Sequence, residues 1–502
     1  MATREAGLLL HPTSLPSRFG VGDFGPAADA FLDWAASAGV RLWQVMPLGP
    51  TTFWNSPYGC LSAFAGNSLL ISPERLVADG LLDAAHLDAT PLFPEDHVDY
   101  GPIIAWKRKL LRTSWEEARA RRASLRDELR LFAEDPAQRT WLPDWALFAS
   151  LVGRNRGVPW SGWPREIAER KPAALEAARR DLAAEIEFRV YRQWLFFSQW
   201  ERVKREANRR GIRIVGDVPI YVAYGSSDVW ANRRYFTVDE EGHPEAVAGV
   251  PPDYFSPTGQ LWGNPLYRWD VLEKEGFQWW IERLRHNFRL ADVVRIDHFR
   301  GFSAYWEVKA GASNAIEGRW VPAPGSALFR AIREEIGPKP IIAEDLGLID
   351  DGVRELLSET GFPGMKVLQF AFDEEDSHSL PHHHVPNSVV YTGTHDNDTT
   401  RGWWGTLDEA ARTRARDYLG TDGSDIAWDL IRAAFSSVAE RAIVPMQDVA
   451  GLGGEARMNV PGRAEDNWAW RAGPACFSEE SAARLRRLAE LTGRVRGWRL
   501  PS

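Results

Sequence analysis

The sequence predicts an α/β protein, a (β/α)8 TIM barrel with large insertions between its strands. Three observations predict this fold: eight short apolar runs, helix patterns in several of the gaps between them, and polar residues directly after the runs. Because the runs are apolar almost throughout, they are typical of strands buried on both faces of a parallel sheet. The eight runs are Gly7–Leu10, Leu42–Leu48, Ile212–Val218, Val293–Phe299, Ile341–Leu346, Met365–Phe370, Ser388–Thr394 and Ala442–Val449.

Helix patterns connect several of these strands. The clearest are Ala27–Ala38, after the first strand, and Val353–Glu359, after the fifth. Asp350 stands where the N-cap of the second of these helices is expected, and Gly361 stands where that helix should end. Eight strands with helical crossovers between them predict a barrel.

The chain of 502 residues is much longer than a bare barrel, which needs about 250 residues. We therefore interpret residues 1–502 as a single catalytic barrel with three insertions. A mostly helical insertion, residues 51–210, follows strand two, and a helical insertion, residues 402–440, follows strand seven. A loop-rich insertion, residues 226–287, is expected to form a lid over the active site. One gap, Ala371–Asn387, shows no helix pattern and departs from the repeat.

Composition excludes several classes of protein. The net charge is −9 and no block of Lys and Arg offsets it, so the sequence has no electrostatic footprint for nucleic acid. Two cysteines, Cys60 and Cys476, are too few for a disulfide scaffold or a zinc site built from Cys. Since no apolar stretch reaches membrane-spanning length and the N-terminal leucine run is too short for a signal peptide, we expect a cytoplasmic protein without membrane contact.

Four of the predicted strands carry a carboxylate at or near their carboxyl end. In a barrel these ends meet on one rim, where active sites lie. A single Asp in such a place often caps the next helix. Four of them, each after an apolar run, favour a carboxylate cluster instead. The four are Asp217, Asp297, Glu344 and Asp396.

Two of these carboxyl groups have opposite predicted environments. Arg295 and Asp297 alternate on one strand, so their side chains share a side, and the guanidinium would lower the pKa of the carboxylate as a nucleophile requires. Glu344 follows the apolar residues Ile341–Ala343, which would raise its pKa and suit a general acid. This arrangement is typical of glycosidases. A purely structural Arg–Asp pair is the alternative.

The histidines do not predict a metal site. His298 and the segment His395–Asp398 lack HExxH or HxH spacing, so we expect them to hydrogen-bond ligand hydroxyl groups. We interpret His382–His384 as a solvated loop, with metal binding as the alternative. The segment Gly20–Gly25 matches GxGxxG, but a long loop separates it from the preceding strand, and no phosphate-binding GxxxxGK[ST] motif occurs. We therefore predict neither a metal nor a cofactor.

Aromatic residues are frequent in two of the loops. The chain has 24 Trp against 11 Tyr. Aromatic planes beside Asp, Asn and Gln suit pyranose rings, which have an apolar face and a hydroxyl edge. Small cores that hold long loops are the alternative; for Trp262, in a polar stretch, a ligand wall is favoured. The aromatic residues are Phe53, Trp54 and Tyr58 after strand two, and Tyr254, Phe255, Trp262 and Tyr267 in the second insertion.

Eight segments resemble, in order, those of the amylomaltases, 4-α-glucanotransferases of glycoside hydrolase family 77 in the α-amylase clan. The segments are HPTSLPS, SPYG, GDVPIYVA, GVPPDYFSPTGQLWGNPLY, VVRIDHFRG, IIAEDLG, YTGTHDNDT and GEARMNVPG. The likeness extends from about residue 7 to about residue 471. It implies transfer of α-1,4-glucan segments to the 4-hydroxyl of glucose or another glucan, by a retaining double displacement that needs no metal or organic cofactor.

The resemblance also implies a role for individual residues. Asp297, in RIDHF, matches the nucleophile, and Glu344, in AEDLG, matches the general acid/base. Asp396, in THDND, matches the third carboxylate, which binds sugar hydroxyls and stabilises the transition state. The flanking residues of Asp373 differ from the family pattern. Residues that match substrate contacts are Ser56, Tyr58, Asp217, Asp253, Gln260, Trp262, Arg295, His298, Asp373 and His395.

Two other functions stay open on the sequence alone. Motifs do not show whether a sugar or water attacks the glycosyl-enzyme, so a glucan hydrolase on the same scaffold is the first alternative. Val222 and Ala223 stand where amylases usually carry a histidine, which favours an amylomaltase over a plain amylase. A noncatalytic glucan-binding protein is the second alternative, although it has no need of an acid/base. The expected partners are α-1,4-glucans and maltooligosaccharides; the oligomeric state is open, with a monomer compatible.

Overall fold

A computed structural model describes residues 4–52, 54–252, 256–373 and 377–495. Twelve strands lie within these ranges. They are β1 (Glu5–Leu9), β2 (Leu42–Gln44), β3 (Arg213–Pro219), β4 (Ala246–Val250), β5 (Gln260–Pro265), β6 (Val293–Asp297), β7 (Ala304–Lys309), β8 (Gly318–Pro322), β9 (Ile341–Ala343), β10 (Gly364–Val367), β11 (Ser388–Tyr391) and β12 (Arg441–Pro445).

The described ranges also contain nineteen α-helices. They are α1 (Pro26–Ser37), α2 (Pro73–Ala78), α3 (Ala85–Asp88), α4 (Tyr100–Arg121), α5 (Leu125–Glu134), α6 (Leu142–Arg154), α7 (Arg165–Ala168), α8 (Pro172–Asp181), α9 (Ala183–Arg209), α10 (Ser227–Ala231), α11 (Trp269–Lys274), α12 (Gln278–Leu290), α13 (Gly325–Ile336), α14 (Asp351–Thr360), α15 (Thr400–Thr406), α16 (Glu409–Leu419), α17 (Ile426–Ser436), α18 (Met446–Val449) and α19 (Glu479–Leu491). None is long and apolar enough to cross a membrane.

Eight of the strands form one parallel sheet in the order β10-β11-β12-β1-β2-β3-β6-β9. These are the eight strands that the apolar runs predict, and the predicted (β/α)8 fold class is confirmed. The two ends of the sheet meet without a regular ladder: the Ala343 N–H donates to the Pro363 carbonyl at 3.0 Å, and the Met365 N–H donates to Asp345 Oδ1 at 2.6 Å. The sheet is therefore a nearly closed barrel.

The barrel interior explains why the runs are apolar throughout. Each of the eight strands contributes a side chain to one buried cluster, while neighbouring residues on the same strands face the surrounding helices. Alternate residues of a strand point to opposite faces, so a strand between two apolar layers needs apolar residues at every position. The interior side chains include Leu9, Leu42, Val215, Val293, Ile342, Met365, Val389 and Ile443.

The helix predicted after the fifth barrel strand has the expected ends. Asp350 is the N-cap of α14, and its Oδ1 accepts the Val353 N–H at 3.1 Å. Gly361 ends the helix with a left-handed backbone at φ 67°, which favours glycine. The described part of the crossover between β10 and β11 contains only 3-10 turns, Leu368–Phe370 and Pro381–His383, in agreement with its missing helix pattern.

The segment predicted to be loop-rich, residues 226–287, contains more regular structure than its sequence indicated. It includes β4 and β5, which pair antiparallel in a second sheet of order β5-β4-β7-β8. Three of its strands, β5, β7 and β8, are partly exposed and carry no apolar run, so the sequence did not indicate them. The fourth, β4, is a short buried apolar run that is not among the eight predicted strands. The sheet stands beside the carboxyl ends of the barrel strands and supplies one wall of the cleft described next.

Candidate active site

A cleft of about 970 Å³ lies at the carboxyl ends of the barrel strands. Three of the four predicted carboxylates line it: Asp297 at the end of β6, Glu344 after β9, and Asp396 after β11. The fourth, Asp217 on β3, lies beneath the cleft with a fully buried side chain. The predicted carboxylate cluster is therefore one spatial group, because parallel strands of a barrel end on the same rim.

Arg295 holds two of these carboxylates together. The register of β3 and β6 places Asp217 directly beside Arg295. Arg295 Nη1 donates to both oxygens of Asp217 at 2.8 Å and to Asp297 Oδ1 at 3.0 Å. The Tyr58 hydroxyl donates to Asp217 Oδ2 at 2.8 Å. One guanidinium thus neutralises the buried carboxylate and fixes the orientation of the carboxylate that faces the cleft.

Backbone N–H groups hold the Glu344 carboxyl group. The Leu346 N–H donates to Oε1 at 2.8 Å, and the His298 N–H donates to Oε2 at 2.7 Å. His298 has a left-handed backbone, φ 52° and ψ 51°, which turns its N–H towards Glu344. Such a backbone costs a residue other than glycine roughly 1–3 kcal/mol. The strain therefore serves to position the Glu344 side chain.

Asp396 depends on a segment near the end of the chain. Asn459 Nδ2 donates to Asp396 Oδ1 at 2.6 Å, and Arg457 Nη2 donates to the Asp396 carbonyl at 2.7 Å. Sequence reasoning missed both partners as site residues, although they lie in the segment GEARMNVPG, which carries part of the family resemblance. Because 47% of the Asp396 side chain is exposed, its free oxygen can meet a ligand in the cleft.

Aromatic rings and imidazoles form the walls beside the carboxyl groups. The Tyr58 ring stacks on His395 with centroids 4.9 Å apart, and the rings of His298 and Trp262 meet edge to face with centroids 4.7 Å apart. Burial lowers the pKa of His298 to about 3 and also lowers the pKa of His395. Both imidazoles are therefore neutral at pH 7, and each can donate or accept a hydrogen bond to a hydroxyl group.

Burial raises the pKa of Asp297 to about 8; Arg295 lowers it, while Asp217, Glu344 and Asp396 raise it. Burial also raises the pKa of Glu344, against the lowering effect of Arg295 and two backbone N–H groups. The predicted lowering by Arg295 is present, but burial outweighs it, so the pKa of Asp297 is raised instead of lowered. Two such groups titrate as a pair, and the hydrogen bond from Arg295 favours the ionised form of Asp297.

The structure brings ten of the thirteen predicted site residues to the cleft and places two of them, Asp217 and Asp373, outside its lining. Asp217 lies beneath it, as described. Asp253 lies outside the described residues, as do the aromatic residues Phe53, Tyr254 and Phe255. Asp373 is exposed away from the cleft lining, where its carbonyl accepts from Arg414. The predicted residues that line the cleft are Ser56, Tyr58, Gln260, Trp262, Arg295, Asp297, His298, Glu344, His395 and Asp396.

The described residues include no group of three His, Cys, Asp or Glu side chains that could hold a metal ion. The His382–His384 segment is only partly the solvated loop that the sequence suggested. His384 is buried, and its ring contacts the Ser437 hydroxyl at 2.7 Å and the Ser379 carbonyl at 2.9 Å. That histidine therefore has a structural role, joining the loop before β11 to the residues before β12.

Two carboxyl groups whose pKa values burial raises, at the rim of a barrel and between aromatic walls, define the chain as a barrel enzyme of the class that cleaves glycosidic bonds. A family model described as 4-alpha-glucanotransferase matches residues 10–475. The chain therefore belongs to the 4-alpha-glucanotransferase family.

Individual relatives agree with this membership. The 4-alpha-glucanotransferase of Thermus thermophilus is 49% identical, over 98% of this chain and 99% of the relative. The chloroplastic/amyloplastic enzyme of Solanum tuberosum is 46% identical, over 97% of this chain and 85% of the relative. The amylomaltase of Streptococcus agalactiae, solved with acarbose, superposes with a TM-score of 0.95 at 36% identity, over 98% of this chain and 100% of that one.

We expect the Arg295–Asp217 pair to be strongly coupled in stability. Arg295→Met leaves the Asp217 carboxylate buried without its cation, which costs about 3–5 kcal/mol of unfolding free energy. The double variant Arg295→Met/Asp217→Asn should lose much less than the sum of the two single variants, as urea unfolding would show. Arg354→Met, at an exposed pair with Asp351, is the control and should change little. Additive losses would contradict the coupling.

Proposed function

We propose that this protein is a 4-α-glucanotransferase that moves a segment of an α-1,4-glucan to the 4-hydroxyl of glucose or of another glucan. The observation that carries the proposal is the pair Asp297 and Glu344. One accepts from a guanidinium, the other from two backbone N–H groups, and both open into the same cleft. Membership of the 4-alpha-glucanotransferase family supports the same activity.

In the first step, Glu344 gives its proton to the glycosidic oxygen while an Asp297 oxygen attacks the anomeric carbon. The C1–O bond breaks, the fragment with the new 4-hydroxyl leaves, and a glycosyl ester forms on Asp297 with inversion. Because Arg295 donates to Oδ1 of Asp297, the other oxygen remains available for attack. Glu344 ends this step as a carboxylate, a form that its two backbone N–H donors stabilise.

In the second step, the Glu344 carboxylate takes the proton from the 4-hydroxyl of an acceptor glucan. The freed oxygen attacks the anomeric carbon, the ester bond to Asp297 breaks, and a second inversion restores the α configuration. Asp396 stays unreacted: Asn459 holds one of its oxygens, and the other binds sugar hydroxyls and stabilises the positive charge that develops on the ring.

The remaining predicted residues bind the sugar. Tyr58 presents a hydroxyl group to a glucosyl unit, and His395 and His298 present neutral imidazole groups. Trp262 offers the face of its indole ring, and its Nε1–H donates to Gln260 Oε1 at 3.2 Å. We assign residues 226–287 the role of a lid, because β5 carries Gln260 and Trp262 to the cleft. A lid favours a sugar acceptor over water by excluding solvent.

Other expectations accompany this proposal. Asp253, on the proposed lid, and Asp373 stay predicted substrate contacts. The absence of a cofactor, the cytoplasmic location, the absence of nucleic-acid partners and a monomeric state also stay predictions. Among relatives, the Solanum tuberosum enzyme is described as chloroplastic/amyloplastic. Hydrolysis on the same scaffold is the competing function, and it differs only in the acceptor that attacks the glycosyl-enzyme.

Incubation with maltotriose tests transfer against hydrolysis. A transferase converts maltotriose into glucose and a ladder of longer oligosaccharides, while the number of reducing ends stays constant because each bond broken is matched by one formed. Products are separated by anion-exchange chromatography and reducing ends are assayed in the same samples. A steady rise in reducing ends without longer products would show a hydrolase, and an unchanged substrate would contradict both activities.

The acid/base role of Glu344 predicts that Glu344→Gln lowers kcat about 10²–10⁴-fold, since the amide cannot donate the proton or take it back. Maltoheptaose binding, measured by calorimetry, should stay detectable because the shape of the side chain is kept. Glu355→Gln, an exposed site on α14, is the matched control and should keep full activity. Near-normal turnover by Glu344→Gln would overturn the role.

The proposed roles require one proton on the pair of Asp297 and Glu344, with Glu344 protonated and Asp297 ionised. This requirement predicts a bell-shaped dependence of kcat/KM on pH. The productive pair holds one proton, so activity falls as pH rises through about 8, where the raised pKa of the pair lets that proton go. Activity also falls at acidic pH, where the pair takes up a second proton and Asp297 loses the charge that it needs as a nucleophile. Initial rates measured between about pH 4 and about pH 10 define the acidic and alkaline limbs of the kcat/KM profile. Samples returned to pH 7 should recover full activity, which shows that the protein has not unfolded. An alkaline limb near pH 5, the ordinary range of a carboxyl group, would contradict the raised pKa of the pair.

A further inference from the structure

The second sheet brings an additional tryptophan to the cleft. Trp320, on β8, lines the cleft and is 37% exposed, whereas most tryptophans of the chain are buried. It pairs in register with Trp306 on β7, and the two rings meet edge to face with centroids 5.2 Å apart. Neither ring contributes to the contacts of the carboxyl groups described above. The exposure of Trp320 therefore has no role in the proposed chemistry.

Arg300 holds the Trp320 ring in place. The guanidinium carbon lies 3.6 Å from the ring centroid, the distance of flat stacking, so one face of the indole is covered. Arg300 is itself fixed, because it donates to the Leu348 carbonyl and, at 2.9 Å, to Asp350 Oδ2. A ring held by a guanidinium on one face and by contact with a second indole is a preorganised surface.

The stacked pair of Trp320 and Arg300, called the platform below, is joined to the segments that follow Asp297 and Glu344. Arg300 follows Asp297 by three residues, and Leu348 follows Glu344 by four, so both anchors belong to the segments that carry the reacting carboxyl groups. The distance between the platform and the reacting bond is therefore fixed by short stretches of chain. The cleft, at about 970 Å³, is at the upper end of the range of roughly 300–1,000 Å³ for ligand sites and has room for several sugar units.

The chemistry of the surface fits a neutral sugar. Arg300 is paired with Asp350, so its charge does not call for an anionic ligand. The part of the Trp320 indole that is exposed in the cleft suits the apolar face of a glucose ring, and Ser313 and Asn314, which also line the cleft, can hydrogen-bond its hydroxyl edge. Given the proposed function, the occupant is a unit of the same glucan chain whose bond reacts further along the cleft.

We propose that Trp320, stacked on Arg300, is a binding platform for a glucosyl unit beyond the two units that flank the reacting bond. The platform makes the protein prefer longer maltooligosaccharides, because only a chain of sufficient length reaches Trp320 while another part of it lies at Asp297 and Glu344. The inference rests on the proposed glucanotransferase activity and adds a site to it.

The test compares maltotriose and maltoheptaose as sole substrates for the full-length protein. In Trp320→Ala, the ratio of kcat/KM for maltoheptaose to kcat/KM for maltotriose should fall about tenfold, through a higher KM, as expected for truncation of an aromatic binding residue. Trp320→Phe keeps an aromatic face and should recover most of that ratio. Tyr418→Ala removes an exposed aromatic residue that lies outside the cleft lining and should leave both substrates unchanged.

An unchanged ratio in a folded Trp320→Ala protein would overturn the platform, and so would an equal loss on both substrates, which indicates a structural role. Thermal unfolding of each variant establishes folding. If the alanine variant does not fold, Trp320→Phe is compared with Trp320→Leu, whose aliphatic side chain is close to Phe in bulk. The platform then predicts a ratio near the wild-type value for Trp320→Phe and a lower ratio for Trp320→Leu, and equal ratios in the two variants would overturn it. If the wild-type protein transfers neither substrate, the proposed function fails, and this outcome is distinct from failure of the platform.

Discussion

The active site depends on the hydrogen bonds that Arg295 donates to Asp217 and Asp297. The Arg295 side chain is almost fully buried between Asp217 and Asp297, and it is placed there by the register of two neighbouring parallel strands. Because side chains alternate along a strand, a shift of one residue between β3 and β6 would send these groups to opposite faces of the sheet. The fold and the chemistry are therefore joined at one cross-strand pair.

The cost of this arrangement is a concentration of negative charge. Arg295 neutralises one carboxylate, while burial makes charge unfavourable on Asp297 and Glu344, which face the same cleft as Asp396. The hydrogen bond from Arg295 favours the ionised form of Asp297, as the proposed nucleophile requires, whereas Glu344 accepts hydrogen bonds only from backbone N–H groups. The different hydrogen-bond donors of the two carboxyl groups therefore suit Asp297 to the role of nucleophile and Glu344 to the role of acid.

Much of the fold was accessible from the sequence because barrel strands are buried on both faces. Their apolar runs stand out, and a carboxylate at the end of each of four runs marks the rim. The antiparallel sheet was not accessible: three of its strands are partly exposed and carry no apolar run, as in Gly318–Pro322, and the short apolar strand Ala246–Val250 does not reveal its partners. Asn459 was missed because a lone amide has many structural uses. The left-handed backbone of His298 was missed because it is set by tertiary contacts rather than by residue type.

The most direct test of the account is to trap the glycosyl-enzyme. A fluorinated α-glucosyl fluoride whose ring substituent slows the second step should label the protein, and peptide mass spectrometry identifies the modified residue. The account predicts one added glucosyl unit on Asp297, with no label in Asp297→Asn. A label on Glu344 or Asp396, or turnover of the reagent with no covalent intermediate, would contradict it.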